Sequence, residues 1–215
     1  MKVTVVCSDP RHPIYPLLEQ WVVESSEQAN LVTKISEVET GDILFLISCS
    51  ELVKREVRDR FAKTLVIHAS DLPKGRGWSP HIWQILEGKR EVVVTLLEAE
   101  DKVDSGAIWG QRTIEVDPGD LSEHFNAKLF AAELELMTFA VENFATVEPK
   151  PQPEGEATYY PKRTPVDSQI DPAASLESQF DRIRVSDPER FPAYFDLHGY
   201  RYEIHLVRKD LTLED

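Results

Sequence analysis

The chain has 215 residues, 41% hydrophobic and 9% aromatic, enough for one domain with a sizeable core and a small appendage. Lys and Arg total 24 against 38 Asp and Glu, a net charge of −14 that repels a phosphate backbone and disfavours nucleic acid as a partner, though not a local basic pocket for one small anion. No apolar run approaches the roughly 20 residues of a membrane-spanning helix, and MKVTVVCSD lacks a signal-peptide pattern, so a cytoplasmic protein with no membrane partner is expected.

VTVVC (3–7) reads as a first buried strand, followed by a helical stretch with Leu17, Leu18, Trp21 and Val22 on one face. LVTKIS (31–36) and ILFLIS (43–48) read as two more strands. Cys7 and Cys49 each follow such a run and read as small buried thiols rather than a disulfide. Val53, Val57 and Phe61, spaced by four among charges, predict an amphipathic helix, and TLVIH (64–68) the next buried strand. Ser79–Pro80 reads as a helix N-cap with proline in the first turn, and Gly88 as the stop. EVVVTLLEA (91–99) is again a strand, and residues 121–146 carry the longest helical signal. Alternating β and α signals with near-continuous apolar strands imply an α/β domain over 1–146, its parallel sheet covered on both faces. The Pro-rich stretch 147–158 reads as an extended connection running over the surface. Residues 159–215 predict a helix near Ser175–Ile183 and a hairpin turning at His198–Gly199. They are too short for a second core and should pack on the first. The six histidines show no metal-binding spacing, so no metal is expected.

The chemistry concentrates in LVIHASDLPKGRGWSPHIWQILEG (65–88) and DKVDSGAIW (101–109). His68 ends a buried strand at the carboxyl edge of the sheet, where open α/β sheets place ligands. Asp104 lies in a loop between two further strand signals, and a carboxylate reached from a neighbouring strand fixes the tautomer of a general acid–base histidine. Taken singly, a histidine at a strand end is more often structural, and an Asp before Ser-Gly is usually a turn residue.

The combination resembles the 10-formyltetrahydrofolate-dependent formyltransferases, whose pattern is Asn-x-His-x-Ser-x-Leu-Pro, Arg-Gly-x-x-Pro, a helix ending in Gly, then Leu-Asp-x-Gly-x-Ile. His68, Ser70, Leu72, Pro73, Arg76, Gly77, Pro80, Gly88, Thr95, Asp104, Gly106 and Ile108 stand in register with it. The resemblance implies a Rossmann-like, doubly wound, mostly parallel sheet with 10-formyltetrahydrofolate as co-substrate. It makes His68 the general acid–base and Asp104 its orienting partner. Ser70, Asp71, Leu72 and Pro73 would line the folate, Ala99, Glu100, Asp101, Lys102 and Val103 would hold the pterin ring, and Ser50, Glu51, Leu52 and Val53 would form another folate-side wall. The implied reaction is attack by a neutral amine on the formyl carbon, with protonation of the folate nitrogen as it leaves. One position departs from the pattern. The family's Asn, a donor to the developing oxyanion, falls on Val66, and losing one such donor typically costs on the order of 10²–10³ in rate. The alternative readings are a folate-binding pseudoenzyme, which Val66 motivates, and a formyltetrahydrofolate hydrolase acting on the same donor.

Among the family's branches, the tRNA enzymes carry a basic C-terminal domain that this acidic chain does not suggest. The glycinamide ribonucleotide enzymes cradle phosphate on a Gly-rich first turn, which here reads CSDPRHPIYP without glycine. SDLPKGRGWSPHIWQILEG and YYPKRTPVDSQID resemble sugar-nucleotide N-formyltransferases, closest to those of nonulosonic (pseudaminic) acid pathways acting on CMP-linked sugars. The expected partner is such an amino-sugar nucleotide, and the expected assembly a monomer or homodimer. Arg11, His12, Arg76, Gly77, Trp78, Tyr160 and Arg163 are the candidate acceptor contacts, the arginines for phosphate and Trp78 for stacking.

Overall fold

Strand alternation sorts the apolar residues onto two faces, and each face collects its own cover. Strand β1 (Lys2–Val6) turns Val3 and Val5 to one side and Val6 to the other. The first side holds the main core, where Ile43, Phe45, Leu65, Val94 and Leu96 meet Leu18 of helix α1 (Tyr15–Glu24) and Leu136 and Met137 of helix α4 (Ser122–Glu142). The second side holds a smaller cluster of Val6, Val38, Leu44, Leu46, Val53 and Phe61. The computed structural model describes residues 1–209, so residues 210–215 of the predicted extension lie outside the described residues.

The remaining strands of the main sheet are β2 (Gln28–Val32), β3 (Gly41–Leu46), β4 (Phe61–His68), β6 (Glu91–Glu98) and β7 (Ile108–Glu115), in the spatial order β2-β1-β3-β4-β6-β7. The first four run parallel, while β6 is antiparallel to β4 and β7 to β6. The sheet is thus mostly parallel, with two antiparallel strands at one side. A strand buried on both faces reads as the same apolar run in either direction. Helix α3 (Pro80–Leu86) packs in the main core through Ile82 and Ile85.

Two local expectations are corrected. The apolar residues at 53, 57 and 61 do not share one helix: only Arg55–Arg58 forms a helix, α2. Val53 lies before it in a loop and Phe61 already opens β4, so spacing four spans three kinds of structure inside one small cluster. Proline does open α3, but Ser79 has φ 45° and its hydroxyl caps nothing.

The C-terminal part follows the predicted order. Helix α5 (Leu176–Arg184) starts at Ser175, whose hydroxyl accepts from Ser178 N, and strands β9 (Ala193–Leu197) and β10 (Tyr200–Ile204) turn at His198 and Gly199, both with positive φ. A short pairing escaped the sequence: β5 (Arg76–Gly77) runs parallel with β8 (Tyr159–Tyr160). Both cysteines are free, Cys7 buried and Cys49 half-buried. No helix is long and apolar enough to cross a membrane among the described residues.

Candidate active site

The parallel strands end on one edge, and the turns beyond them converge there. After β1 come Asp9, Arg11 and His12, after β3 come Ser48 to Val53, and β4 ends on His68. The loop from 99 to 107 doubles back along β4: Ala99 N donates to Thr64 O at 2.8 Å, and Asp104 lies against His68 four residues further on. Gly106 makes this fold possible, since a Cβ there would stand 2.0 Å from the Glu98 carbonyl oxygen.

His68 and Asp104 form a buried pair, with side chains 7% and 8% exposed and His68 Nδ1 3.6 Å from Asp104 Oδ2. His68 Nε2 lies 2.8 Å from the Gly75 carbonyl, which can only accept, so this nitrogen carries a proton. Asp104 Oδ2 in turn accepts from Gly77 N at 2.9 Å. Three consecutive residues, Gly75 to Gly77, therefore touch both members of the pair. Gly77 has φ 101°, and a Cβ on it would meet Tyr160 O at 2.4 Å, so no other residue suits this position.

The 70–73 loop is built in from below. Thr95 Oγ1 donates to Ser70 O at 2.8 Å and accepts from Gln111 Nε2 at 3.0 Å. Leu72 is buried, the Leu72–Pro73 bond is cis, and Asp71 is exposed with a long contact of 3.4 Å from Gln111. Glu100, Asp101, Lys102 and Val103 are exposed and Ala99 half-buried, and Asp101 pairs with Arg58. Ser50, Glu51 and Leu52 are exposed while Val53 is buried, and Glu51 accepts from Ile35 N at 3.0 Å. Val66 shares the His68 face of β4 and packs with Ala99 against the small cluster, so nothing at that position can donate to an oxyanion.

The candidate acceptor contacts divide. Arg76 is buried, its Nη2 donating to Gln152 Oε1 at 2.6 Å and its Nη1 lying 3.4 Å from the Tyr159 hydroxyl, so it faces protein on both sides. Tyr160 stacks on Trp83 at 6.2 Å and donates its hydroxyl to Glu87 at 2.8 Å. Trp78 is 46% exposed, with Lys162 Nζ 4.7 Å over its ring. Arg11 is exposed and pairs with Asp9 at 3.4 Å. Arg163 is half-buried, bonds Ser168 Oγ at 3.2 Å, and leaves its Nε unpartnered. His12 accepts from Ile14 N on Nδ1 and meets Ser48 Oγ through Nε2, both at 3.3 Å.

His81 escaped the sequence reading because a histidine in the first turn of a helix looks like surface. Burial pushes its imidazole down to about 3, and His68, His12 and Arg163 act in the same direction. Burial likewise pushes His12 down to about 4. On α4 the Glu133 carboxyl is pushed up to about 8 by burial, with Oε2 unpartnered. The folded state thus refuses protons on His12 and His81 that the unfolded chain takes up below 6.5, and stability falls as pH drops toward 4. It also keeps a proton on Glu133 that the unfolded chain releases above 4.5, so stability falls as pH rises toward 8. Two histidines outweigh one glutamate below 6.5. Melting temperature should therefore peak near neutrality, with His81→Gln flattening the acid limb and Glu133→Gln the alkaline limb. Parallel limbs in wild type and both variants would contradict this reading.

Comparison with known proteins agrees with the geometry. A family model described as formyl transferase matches residues 3–141. Methionyl-tRNA formyltransferase of Enterococcus faecalis is 36% identical over 146 residues, covering 66% of this chain, and the chain spans only 45% of that relative's length. Among solved structures, methionyl-tRNA formyltransferase from Clostridium thermocellum superposes with a TM-score of 0.80 at 22% identity, over 98% of this chain and 94% of that one. A sugar N-formyltransferase from Shewanella does so with a TM-score of 0.75 at 17% identity, over 99% of each chain. At such identities the two structural likenesses establish the fold, mixed α/β with a central, mostly parallel sheet. With a family model spanning most of its length, this chain belongs to the formyl transferase family.

Proposed function

We propose that the chain is an N-formyltransferase that moves a formyl group from 10-formyltetrahydrofolate to the amine of a nucleotide-linked amino sugar, a CMP-linked nonulosonic acid precursor being the first candidate. The buried His68–Asp104 pair carries this reading, because an imidazole set against a carboxylate at the carboxyl edge of the parallel strands suits acid–base work. The wall beneath the 99–104 loop suits a pterin ring. It is apolar at Leu46, Val66 and Ala99, and Thr64 on the same face has a buried hydroxyl without a partner. The folate supplies an electrophilic formyl carbon when bound. His68 would take the proton released as the acceptor nitrogen bonds that carbon and return it to the departing folate nitrogen, so the proton count balances. With Nε2 already protonated, Nδ1 is the nitrogen that would take that proton, and Asp104, 3.6 Å away, would offset the charge the ring gains.

The acceptor is argued from charge and shape. At a net charge of −14, a tRNA backbone is repelled, whereas one or two phosphates can be met by Arg163 and Arg11 beside neutral His12 and His81. Exposed Trp78, next to Gly77, offers a face for a base or sugar. The test incubates the protein with 10-formyltetrahydrofolate and a panel of amino-sugar nucleotides, CMP-linked ones included, read by mass spectrometry for one added formyl group. Efficient formylation of charged initiator tRNA, or inertness of every sugar nucleotide, overturns the acceptor assignment. Formate release without an amine would point instead to a formyltetrahydrofolate hydrolase.

A further inference from the structure

The Pro-rich connection between α4 and the extension runs over the surface, as expected, and along the loops that carry His68 and Asp104. Lys150 exchanges both backbone hydrogen bonds with Ile108, at 2.7 and 2.9 Å, just after the Asp104 loop. Two residues on, Gln152 Nε2 donates to Asp104 O at 2.8 Å and to Gly106 O at 3.1 Å, while its Oε1 receives Arg76. Thr158 then holds the backbone that touches the other member of the pair. Its Oγ1 accepts from Gly75 N at 2.8 Å and its carbonyl from Arg76 N at 2.9 Å. Tyr160 O closes the run by accepting from Trp78 N at 3.1 Å.

We propose that Gln152 and Thr158 are positioning residues, and that the connection is a strap that sets the geometry of His68 against Asp104. Each acts on the backbone that touches a catalytic group. Thr158 fixes Gly75, whose carbonyl holds His68 Nε2, and Gln152 fixes the backbone of Asp104 itself. Asp104 needs such a hold. Its φ of 52° is in the left-handed region that a non-glycine residue keeps only when its surroundings over-determine it. Arg76 joins the two: its guanidinium reaches Gln152 and the Tyr159 hydroxyl while its backbone N donates to Thr158 O, so the buried side chain links the halves of the connection rather than reaching for substrate. Neither Gln152 nor Thr158 touches the pair's reacting atoms, and the family model ends at residue 141, before both of them.

The kinetic arm of the test rests on the formyl-transfer reading, and a spectroscopic arm does not. Thr158→Val keeps the shape and removes the hydroxyl, and Gln152→Met keeps the length and removes the amide. With the acceptor found in the screen, each should lower kcat about tenfold to a hundredfold while KM for donor and acceptor stays within about twofold, the loss expected when an orienting partner is removed. Thr158→Ser should restore kcat. In the full-length protein, with 5-formyltetrahydrofolate as probe, long-range ¹H–¹⁵N spectra of the His68 ring should show the proton on Nε2 in wild type and a mixture of tautomers in both variants. If every acceptor is inert, the substrate assignment fails and the spectra alone decide. Wild-type ring spectra in both variants overturn the proposal. So does a kcat loss that Ser does not restore, or one that follows a fall in melting temperature across the set.

Discussion

His68→Asn is expected to lower formyl transfer about 10²–10⁴-fold, the usual worth of a positioned acid–base group, while 5-formyltetrahydrofolate binding stays near wild type. Asparagine keeps a planar amide where the imidazole stood and can still donate to the Gly75 carbonyl, so the Gly75 loop need not move. What it cannot do is take a proton from the acceptor amine and give it to the leaving nitrogen. Asp104→Asn separates charge from geometry in the same way. Its remaining carbonyl oxygen can accept from Gly77 N, which keeps the loop in place, but the carboxylate that faces Nδ1 is gone. The loss should therefore fall on kcat with KM little changed, and the double variant should lose far less than the product of the two, because the residues work as one unit. Turnover within about threefold of wild type for either single variant would remove the pair from the chemistry.

The parts of this molecule that the sequence makes plain are those whose signal lies in the residue itself. VTVVC, ILFLIS, TLVIH and EVVVTLLEA are legible as strands because burial on both faces demands continuous apolar residues. The hairpin turn is legible because His198–Gly199 suits two successive positive φ angles. Strand direction is not so written: the run in β6 serves an antiparallel neighbour of β4 as well as a parallel one. The stretch 53–61 misleads because a loop residue, a helix turn and a strand start can share one cluster at helical spacing. The site divides the same way. His68 and Asp104 carry their chemistry in their side chains and their spacing. Gln152 and Thr158 sit in a Pro-rich segment that reads as solvated linker, and their partners are backbone atoms of Asp104, Gly106 and Gly75, which leave no mark on composition. Arg76 errs in the opposite sense, since an arginine in a catalytic loop invites a phosphate, yet here burial and two protein partners absorb it.

Truncation after Thr146 is expected to leave a fragment that aggregates or melts without cooperativity. The reason is the way the later residues are woven into the first 146. Arg184 of α5 is the clearest case: its side chain is 0% exposed, Nη1 donates to Asp117 O at 3.1 Å and Asp120 O at 3.0 Å, and Nε pairs with Asp181 at 2.6 Å. Removing it takes the side-chain partner from two backbone carbonyls at the approach to α4. Val185 belongs to the main core, so its loss also opens that core to water. At the site, the fragment loses Lys150 from the Ile108 edge, Gln152 from Asp104, Thr158 from Gly75, and the β8 partner of β5. Against a typical total of 5–15 kcal/mol, these losses together are enough to abolish folding. Two measurements check this on purified 1–146: thermal unfolding followed by circular dichroism, and turnover with the acceptor identified for the full chain. A fragment that stays soluble but inactive would still match the strap, since the pair would persist without its hold. A fragment that melts cooperatively and turns over at the full-length rate would show that residues 147–215 are a passive appendage, and that neither the core nor the catalytic geometry depends on them.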